Sequence, residues 1–480
     1  MEGIYKNVRF SAPSKCAFSQ AAIEADIPVI DGHVVDRILL STGRADIIKH
    51  NVTDSGIEIE GKIAFNIVAI DGKEVFSFNS TAQFSHSIDM EGVSKDVKAS
   101  VKADLSLFEI TSAGDTLALK CVIDIAVRAS SYSSVDMLTG VKSCEVELKQ
   151  LTLKQKKRVL IEKRSITIHD EVVMSDLKAI LLSEGNLNIS MAVNNSGTVT
   201  VSGIINISAL IKKLDSSLSR LTQSLPFSTE VEISANCEIY TDLITDCVKL
   251  RPMGGEFGLI SVEAIGTLFI YAQEDDELKL TLDAYSIFEP FSVKCIGIKS
   301  CYLASSINEN VTIRENINLP DGMNDIYGIV YSSLRPVVTA CSEDEQHLTV
   351  HGIAFLTCLY TDENGGLNTY SDEFPFTVAT NEPYNQDSDI SASLCRVILT
   401  GAMKNIEVKY TLNISGEIFK EESILVVSGV DPCDPPEKKH GVSMYFLSPG
   451  EDAFYVGKRF NVKRNDVLVC DEGNRAIVIR

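Results

Sequence analysis

Three landmarks recur along this 480-residue chain at nearly constant spacing. One is an apolar run that follows an aspartate, one is a glycine inside an apolar strand pattern, and one is a phenylalanine followed by a polar residue. Successive copies are 142 or 143 residues apart and then 149 residues apart. Constant offsets across three landmarks predict three copies of one module. The landmarks are Ile38, Ile180 and Ile329; Gly61, Gly203 and Gly352; and Phe84, Phe227 and Phe376.

The pattern within each module is that of antiparallel β-structure. Apolar and polar residues alternate strictly over 117–127 and again over 406–414. Such alternation indicates strands with one dry face and one wet face. The recurring glycine indicates a bulge or a close approach of two backbones, and the recurring phenylalanine is interpreted as a core residue. Helical periodicity is scarce, and 216–225 is at best one helical turn.

Turn residues and charged runs complete the coarse assignment. Hairpin turns are predicted at 53–56, 70–73, 273–277 and 362–366. The acidic runs at 274–277 and 342–345 are most simply hairpin tips. Seven of the residues in 149–164 are Lys or Arg, although the chain as a whole is acidic. This segment is predicted to be a solvated connector between modules one and two, with a docking stripe for an acidic partner as the alternative.

The net charge of −22 at pH 7 disfavours binding to nucleic acid or to anionic membranes. No stretch approaches the roughly 20 apolar residues of a membrane span, so no direct membrane insertion is expected. The N-terminus lacks the features of a signal peptide, and we therefore expect a soluble protein made in the cytosol. The twelve cysteines form no C-x-x-C motif and are expected to be mostly reduced, with cross-linking late in the protein's life as the alternative.

The motifs of common enzymes are missing from the sequence. No glycine-rich phosphate loop, nucleophile elbow or repeated carboxylate pair occurs. The seven histidines are scattered, and the i, i+4 pair His347 and His351 lies in a strand pattern that separates the two side chains. We therefore expect a non-enzymatic protein without catalytic residues, cofactor or metal.

The composition changes after Val430. The segment "DPCDPPEKKHG" has three prolines and is predicted to be a linker. The last forty residues carry six basic and five acidic residues, so their net charge is +1 and the first 440 residues carry −23. Their pattern predicts a strand, a helix over "GEDAFYVGKRF", a second short helix over "VKRNDVLV" and a final strand.

The predicted fold class is thus mainly β, with three repeated antiparallel β-sandwich or open-barrel modules and a small C-terminal βααβ domain. The predicted segments are an N-terminal segment 1–23, module one 24–145, the basic connector 146–164, module two 165–301, module three 302–430, the Pro-rich linker 431–440 and the terminal domain 441–480.

The stretch "SPGEDAFYVGKRFNVKRNDVL" resembles the first half of a LysM domain. Asp452, Ala453 and Phe454 stand where that pattern has Thr, Leu and Trp. The loop that follows Cys470 is also much shorter than in LysM domains, where it usually helps to bind N-acetylglucosamine chains, and this departure weakens the expectation of peptidoglycan binding. The matching residues are Gly450, Glu451, Lys458, Arg459, Phe460, Val462, Asp466 and Leu468.

The modules, with their glycine-broken strand, hairpin and Pro-Phe-Ser/Thr motif, resemble the SPOCS domain. Repeated SPOCS modules followed by a terminal LysM domain are similar to the SipL-type morphogenetic proteins of endospore-forming Clostridia. The resemblance implies a spore-coat adaptor in the mother-cell cytoplasm at the forespore surface. Such an adaptor binds the coat ATPase SpoIVA through LysM, contacts other coat proteins and helps the coat to encase the forespore. The alternative is a LysM-type binder of peptidoglycan in the cell wall or spore cortex.

Under the resemblance, the terminal domain is the element that binds the partner. Its cations cluster within seven residues and suit an acidic patch, and its aromatic residues suit the anchoring role common in protein interfaces. Tyr455 is expected to be exposed, whereas Phe454 is assigned equally to the core and to the surface. The predicted partner-binding residues are Phe454, Tyr455, Lys458, Arg459, Lys463 and Arg464.

Overall fold

The structure is a computed structural model that describes residues 2–29, 33–72, 74–95, 97–113, 116–142, 144–233, 237–253, 258–384, 387–434, 441–470 and 475–479. These residues form twenty-three β-strands and one α-helix, so the expectation of a mainly β protein is confirmed. No helix in these ranges is long and apolar enough to cross a membrane. The strands of the first module are β1 (Gly3–Ser11), β2 (Lys15–Pro28), β3 (Arg37–Val52), β4 (Gly56–Asp71), β5 (Glu74–Asp89), β6 (Lys98–Ala113), β7 (Thr116–Ser130) and β8 (Tyr132–Val141).

The other two modules repeat this strand order, with longer first and last strands. Module two contains β9 (Glu147–Val173), β10 (Leu177–Asn195), β11 (Thr198–Lys213), β12 (Leu218–Glu232), β13 (Glu238–Met253) and β14 (Leu259–Tyr285). Module three contains β15 (Phe291–Asn318), β16 (Gly328–Asp344), β17 (His347–Thr361), β18 (Leu367–Pro383), β19 (Asp387–Ala402) and β20 (Asn405–Pro432). The candidate helical turn at 216–225 is wrong, since this segment enters β12.

Each module has two antiparallel three-stranded layers around a core of its own. In module one these layers are β3-β4-β5 and β2-β7-β6. The corresponding layers are β10-β11-β12 with β9-β14-β13 in module two, and β16-β17-β18 with β15-β20-β19 in module three. Buried residues from both layers form one apolar cluster in each module. The two facing layers of each module correspond to the sandwich form of the expectation, and the described strands form no closed barrel.

The alternating sequence pattern places the core residues as expected. All six apolar residues at alternate positions of 117–127 are at most 2% exposed. The five alternate residues of 406–414 are 0% exposed, and Glu407 on the opposite face is exposed. Burying such a face removes a large apolar area from water, which is the main driving force for folding.

A glycine–phenylalanine pair recurs in the first layer of each module. Gly352 lies opposite Phe376 in the β17–β18 register, and Gly61 and Gly203 have the equivalent partners. A Cβ atom on Gly352 would lie 2.2 Å from the Phe376 ring and 2.4 Å from the Val337 carbonyl oxygen. The adjacent strand has a register shift at the same level in all three modules. Both interpretations of the glycine, bulge and close approach, are therefore confirmed, and the three phenylalanines are buried.

The apolar run that opens each module forms the junction between modules. A second register shift occurs there in β3, β10 and β16, and both residues at the shift are buried. They meet one residue from β4, β11 and β17 in a single cluster to which every module contributes three side chains. The equivalent positions keep the 142 and 149 offsets: Leu39, Leu181 and Val330; Leu40, Leu182 and Tyr331; and Val68, Leu210 and Leu359.

The three modules close into a ring. Strands of module one contact β10 of module two, strands of module two contact β16 of module three, and strands of module three contact β3 of module one. Polar contacts from three equivalent positions follow the same cyclic order, each reaching the next module. Arg44 Nη2 donates to the Asp246 carbonyl oxygen at 2.8 Å and Asn186 Nδ2 donates to the Leu394 carbonyl oxygen, whereas Arg335 interacts with Asp104 only through its charge.

The first and last strands of each module extend beyond its core as a two-stranded ribbon. The ribbons are β1–β8, the outer parts of β9 and β14, and the outer parts of β15 and β20. Their apolar faces meet in two further clusters that join all three modules. The chain therefore has one central ribbon layer in addition to its three module cores.

The ribbons correct three expectations. Residues 1–23 contribute β1 and most of β2 to module one and are not a separate segment. The basic segment 146–164 is not a connector but the outer part of β9. The predicted turn at 273–277 is wrong as well, because it lies within the continuous strand β14. The acidic run 274–277 pairs residue by residue with 157–154, so each charged run faces its complement across the ribbon.

The terminal domain has three short strands and one helix. They are β21 (Val442–Phe446), α1 (Ala453–Phe460), β22 (Val467–Cys470) and β23 (Arg475–Ile479), with a sheet order of β21-β23-β22. The predicted second helix is wrong, because only a 3₁₀ turn at Arg464–Asp466 precedes β22. The LysM-like fold thus stays a prediction. Most of the predicted linker lies outside the described residues.

Candidate functional site

Helix α1 is capped at both ends by its own sequence. The Asp452 carboxylate accepts a hydrogen bond from the Tyr455 backbone N–H at 3.0 Å. Asn461 ends the helix in the left-handed region with φ of 52°. Phe454, Val456 and Gly457 form its buried side. These caps stabilise the helix in a domain whose apolar cluster has only five buried residues among those described.

The buried side of α1 is also docked onto the ribbon of module two. The Tyr285 hydroxyl donates a hydrogen bond to the Val462 carbonyl oxygen at 3.0 Å. Its ring meets that of Phe454 edge to face, with the centroids 5.1 Å apart. A Cβ atom on Gly457 would lie 2.3 Å from the Tyr285 hydroxyl, so only glycine allows this approach. Burial raises the pKa of Tyr285, which keeps the phenol protonated as a donor.

Three ion pairs surround this contact. Lys458 Nζ lies 2.5 Å from an Asp283 carboxylate oxygen. Lys463 Nζ lies 2.9 Å from Glu145, and this hydrogen bond raises the pKa of Lys463. The third pair joins Asp452 to Lys149 at 3.2 Å. In two of the three pairs, a lysine of the terminal domain meets a carboxylate of the repeats in the same chain.

The six residues predicted to bind a partner divide into two groups. Phe454 and Lys458 contact the module-two ribbon, and Lys463 pairs with Glu145, which lies between β8 and β9. All three take part in the docking. The other three lie on the surface, and the expected exposure of Tyr455 is confirmed at 40%. Sequence analysis grouped them because they are neighbours in the chain, and no local signal identified Asp283 or Tyr285 as partners. The surface group is Tyr455, Arg459 and Arg464.

Sequence analysis missed an apolar surface on the other side of the domain, which we call the outer sheet face. It comprises Val442, Met444, Phe446 and Leu468, whose exposed fractions are 72%, 60%, 64% and 54%. The alternation of "VSMYF" was visible in the sequence. The side bearing Ser443 and Tyr445 faces the helix, and the side bearing Met444 faces away from it. No local sequence signal distinguished the two sides.

A buried polar cluster at the junction of modules two and three was also missed. Tyr331 and Ser333 donate hydrogen bonds to the Glu184 carboxylate at 2.9 Å and 2.8 Å. Arg220 lies nearby and donates to the Ser332 hydroxyl at 2.9 Å. Burial raises the pKa of Glu184, although both hydrogen bonds and Arg220 act to lower it. The cluster therefore joins module two to module three.

The thiols and histidines form no metal site in the part of the chain that the structure describes. Of the twelve cysteines, Cys16, Cys295 and Cys433 are exposed. Burial raises the pKa of Cys358 to about 12, which makes that thiol a packing residue rather than a nucleophile. The pair His347 and His351 lies in β17, as the strand pattern predicted.

Comparison with known protein families gives a match that covers part of module one. Residues 34–111 match the family model described as SipL, SPOCS domain, which spans the first layer of module one and most of β6. The first module is therefore similar to a SPOCS domain. The match supports a SipL-type protein, as the sequence predicted, and suggests a function related to the sporulation coat. Neither a curated protein nor a solved structure matches the chain.

Proposed function

We propose that this chain is a non-enzymatic morphogenetic adaptor of the spore coat. It binds a SpoIVA-type coat ATPase through its terminal domain, from the mother-cell cytoplasm at the forespore surface, and promotes encasement of the forespore. The SPOCS match to module one is the observation that carries the proposal. Two further modules with the same landmarks and strand order support its extension to the whole ring.

The placement of the terminal domain favours an adaptor. Buried polar and apolar contacts join the modules of the ring. The terminal domain packs against the ribbon layer of this ring. Docking uses one side of that domain and leaves Tyr455, Arg459 and the outer sheet face available to a second protein. Other coat proteins would then contact the surfaces of the modules.

The test compares the full chain with a chain that ends at residue 432. Binding of each to the purified coat ATPase of the same bacterium is measured by isothermal titration calorimetry, and circular dichroism checks that the ring stays folded. We expect binding to be lost when the terminal domain is removed. Unchanged binding would show that the domain is not the adaptor element. Retention of the full chain on purified peptidoglycan, without binding to the ATPase, would instead support the wall-binding alternative.

A further inference from the structure

The outer sheet face is an exposed apolar surface on a well-ordered sheet. The register places Met444, Ile477 and Leu468 side by side across β21, β23 and β22. Val442 and Phe446 lie two residues to either side of Met444, so they share its face of the strand. The opposite face of the sheet carries Val467 and Val478 of the domain's apolar cluster, against which the helix packs.

Docking onto the ring orients this surface toward solvent. The helix side of the domain meets Tyr285, Asp283 and Glu145, and the sheet is on the other side of the domain core. The four apolar side chains of the outer sheet face stay more than half exposed after this docking. Contiguous apolar surface of this kind marks an interaction site more often than isolated exposed residues do.

The size of the surface decides which occupant fits. A large aromatic side chain buries on the order of 200 Å². With that value as an upper figure for each, the four side chains at 54–72% exposure offer at most roughly 500 Å². A stable homodimer needs about 800 Å² from each partner, which is more than this surface offers. The five residues of β21 span roughly 16 Å, and three turns of an α-helix cover about the same length at a diameter of about 10 Å.

We propose that the outer sheet face receives a single amphipathic helix of the partner, with its apolar side laid across Met444, Phe446 and Leu468. The inference rests on the proposed function, since it names the surface of the terminal domain that the partner contacts. Phe446 supplies the aromatic anchor and Met444 an adaptable thioether, the residue types that dominate such contacts. The terminal domain has a net charge of +1, whereas the rest of the chain carries −23. An acidic partner helix is therefore repelled less at this domain than elsewhere on the chain.

The test uses the full chain with Met444→Asp, Phe446→Asp or the milder Phe446→Ser. Leu425→Asp is the matched control, because Leu425 is 65% exposed on the module-three ribbon, away from the outer sheet face. Binding to the purified coat ATPase is measured by calorimetry, and hydrogen exchange of α1 verifies the fold of the domain. We expect the three face variants to bind 10- to 100-fold more weakly and the control to bind like the parent.

Three results would overturn the inference. Face variants that fold and bind like the parent exclude this surface. If the face variants bind like the parent and deletion of 441–480 abolishes binding in the same assay, the adaptor function survives and only the proposed surface is wrong. If the deletion leaves binding intact, the proposed function itself fails. A concentration-dependent dimer of the parent chain in analytical ultracentrifugation, lost in Phe446→Asp, would show that the occupant is a second copy.

Discussion

Docking of the terminal domain depends on one tyrosine more than on its ion pairs. Replacing Tyr285 by Phe removes the hydroxyl that donates to the Val462 carbonyl oxygen at 3.0 Å. Replacing it by Ala also removes the ring that meets Phe454 at 5.1 Å. We predict that Tyr285→Phe weakens docking and that Tyr285→Ala releases the domain from the ring.

The magnitudes follow from the contacts. A buried hydrogen bond contributes about 1 kcal/mol, so Tyr285→Phe lowers the ratio of docked to free domain by about fivefold. Loss of a buried aromatic side chain costs about 3–5 kcal/mol, so Tyr285→Ala lowers that ratio by at least a hundredfold. Each of the three ion pairs is partly exposed and contributes only about 0.2–1 kcal/mol. The three ion pairs together therefore contribute at most about as much free energy to docking as the Tyr285 side chain does.

Nuclear magnetic resonance relaxation measures the release directly. Amide signals of the terminal domain are broad while it tumbles with the 52.4 kDa chain, and they sharpen when it moves independently. Tyr302→Phe is the matched control, since its hydroxyl also makes a 3.0 Å hydrogen bond, to Glu422 on another ribbon, but has no role in docking. If the signals in Tyr285→Ala stay as broad as in the parent, the assignment of docking to Tyr285 is refuted.

Two further predictions concern the ring. Gly352→Ala should lower the free energy of unfolding by about 1–3 kcal/mol, because the new Cβ meets both the Phe376 ring and a backbone oxygen. Gly297→Ala, whose nearest contact would be 3.8 Å, should cost nothing, and equal urea midpoints for the two variants would contradict the argument. Because burial raises the pKa of Glu184, its stabilising contribution is present at acid pH and is lost as the pH rises through that pKa. Glu184→Gln should therefore reduce the gain in urea midpoint between about pH 7.5 and pH 5, and an unchanged pH dependence would refute this.

The module fold could be predicted because its signals are local and repeated. Alternation over 117–127 and 406–414 depends only on the period of a strand, and three copies made the landmarks visible. Cross-strand partners such as Gly352 and Phe376 are close in sequence, so their conflict for space could be anticipated as a close approach.

The charged runs were misassigned because each was interpreted alone. A basic run and an acidic run both resemble solvated loops when their partner is unknown. Lys157 and Glu274 are opposite each other in the β9–β14 ribbon but 117 residues apart in the chain. Complementary runs of equal length were the only sequence signal that they pair.

Local sequence patterns could not predict the closure of the ring or the docking of the terminal domain, because both depend on residues that are far apart in the chain. An apolar pair such as Leu39 and Leu40 looks like the start of a strand, and only the register shift turns both residues into the junction. Lys458 and Asp283 are 175 residues apart, so no local pattern in the sequence identified Asp283 as a partner of Lys458.

The cyclic order of the module contacts also bears on the origin of the chain. Each module offers one surface to the next and receives another, so three separate copies of a single module would close in the same way without being joined. This is the arrangement that fusion of three genes for one ring-forming subunit would produce. After such a fusion, equivalent positions of the three modules are free to diverge. One such position of the repeat, whose residues differ in charge and size, is occupied by Thr42, Glu184 and Ser333. A symmetric ancestor would have placed three identical side chains there, and an acid in all three would have repeated the burial of Glu184 at every junction.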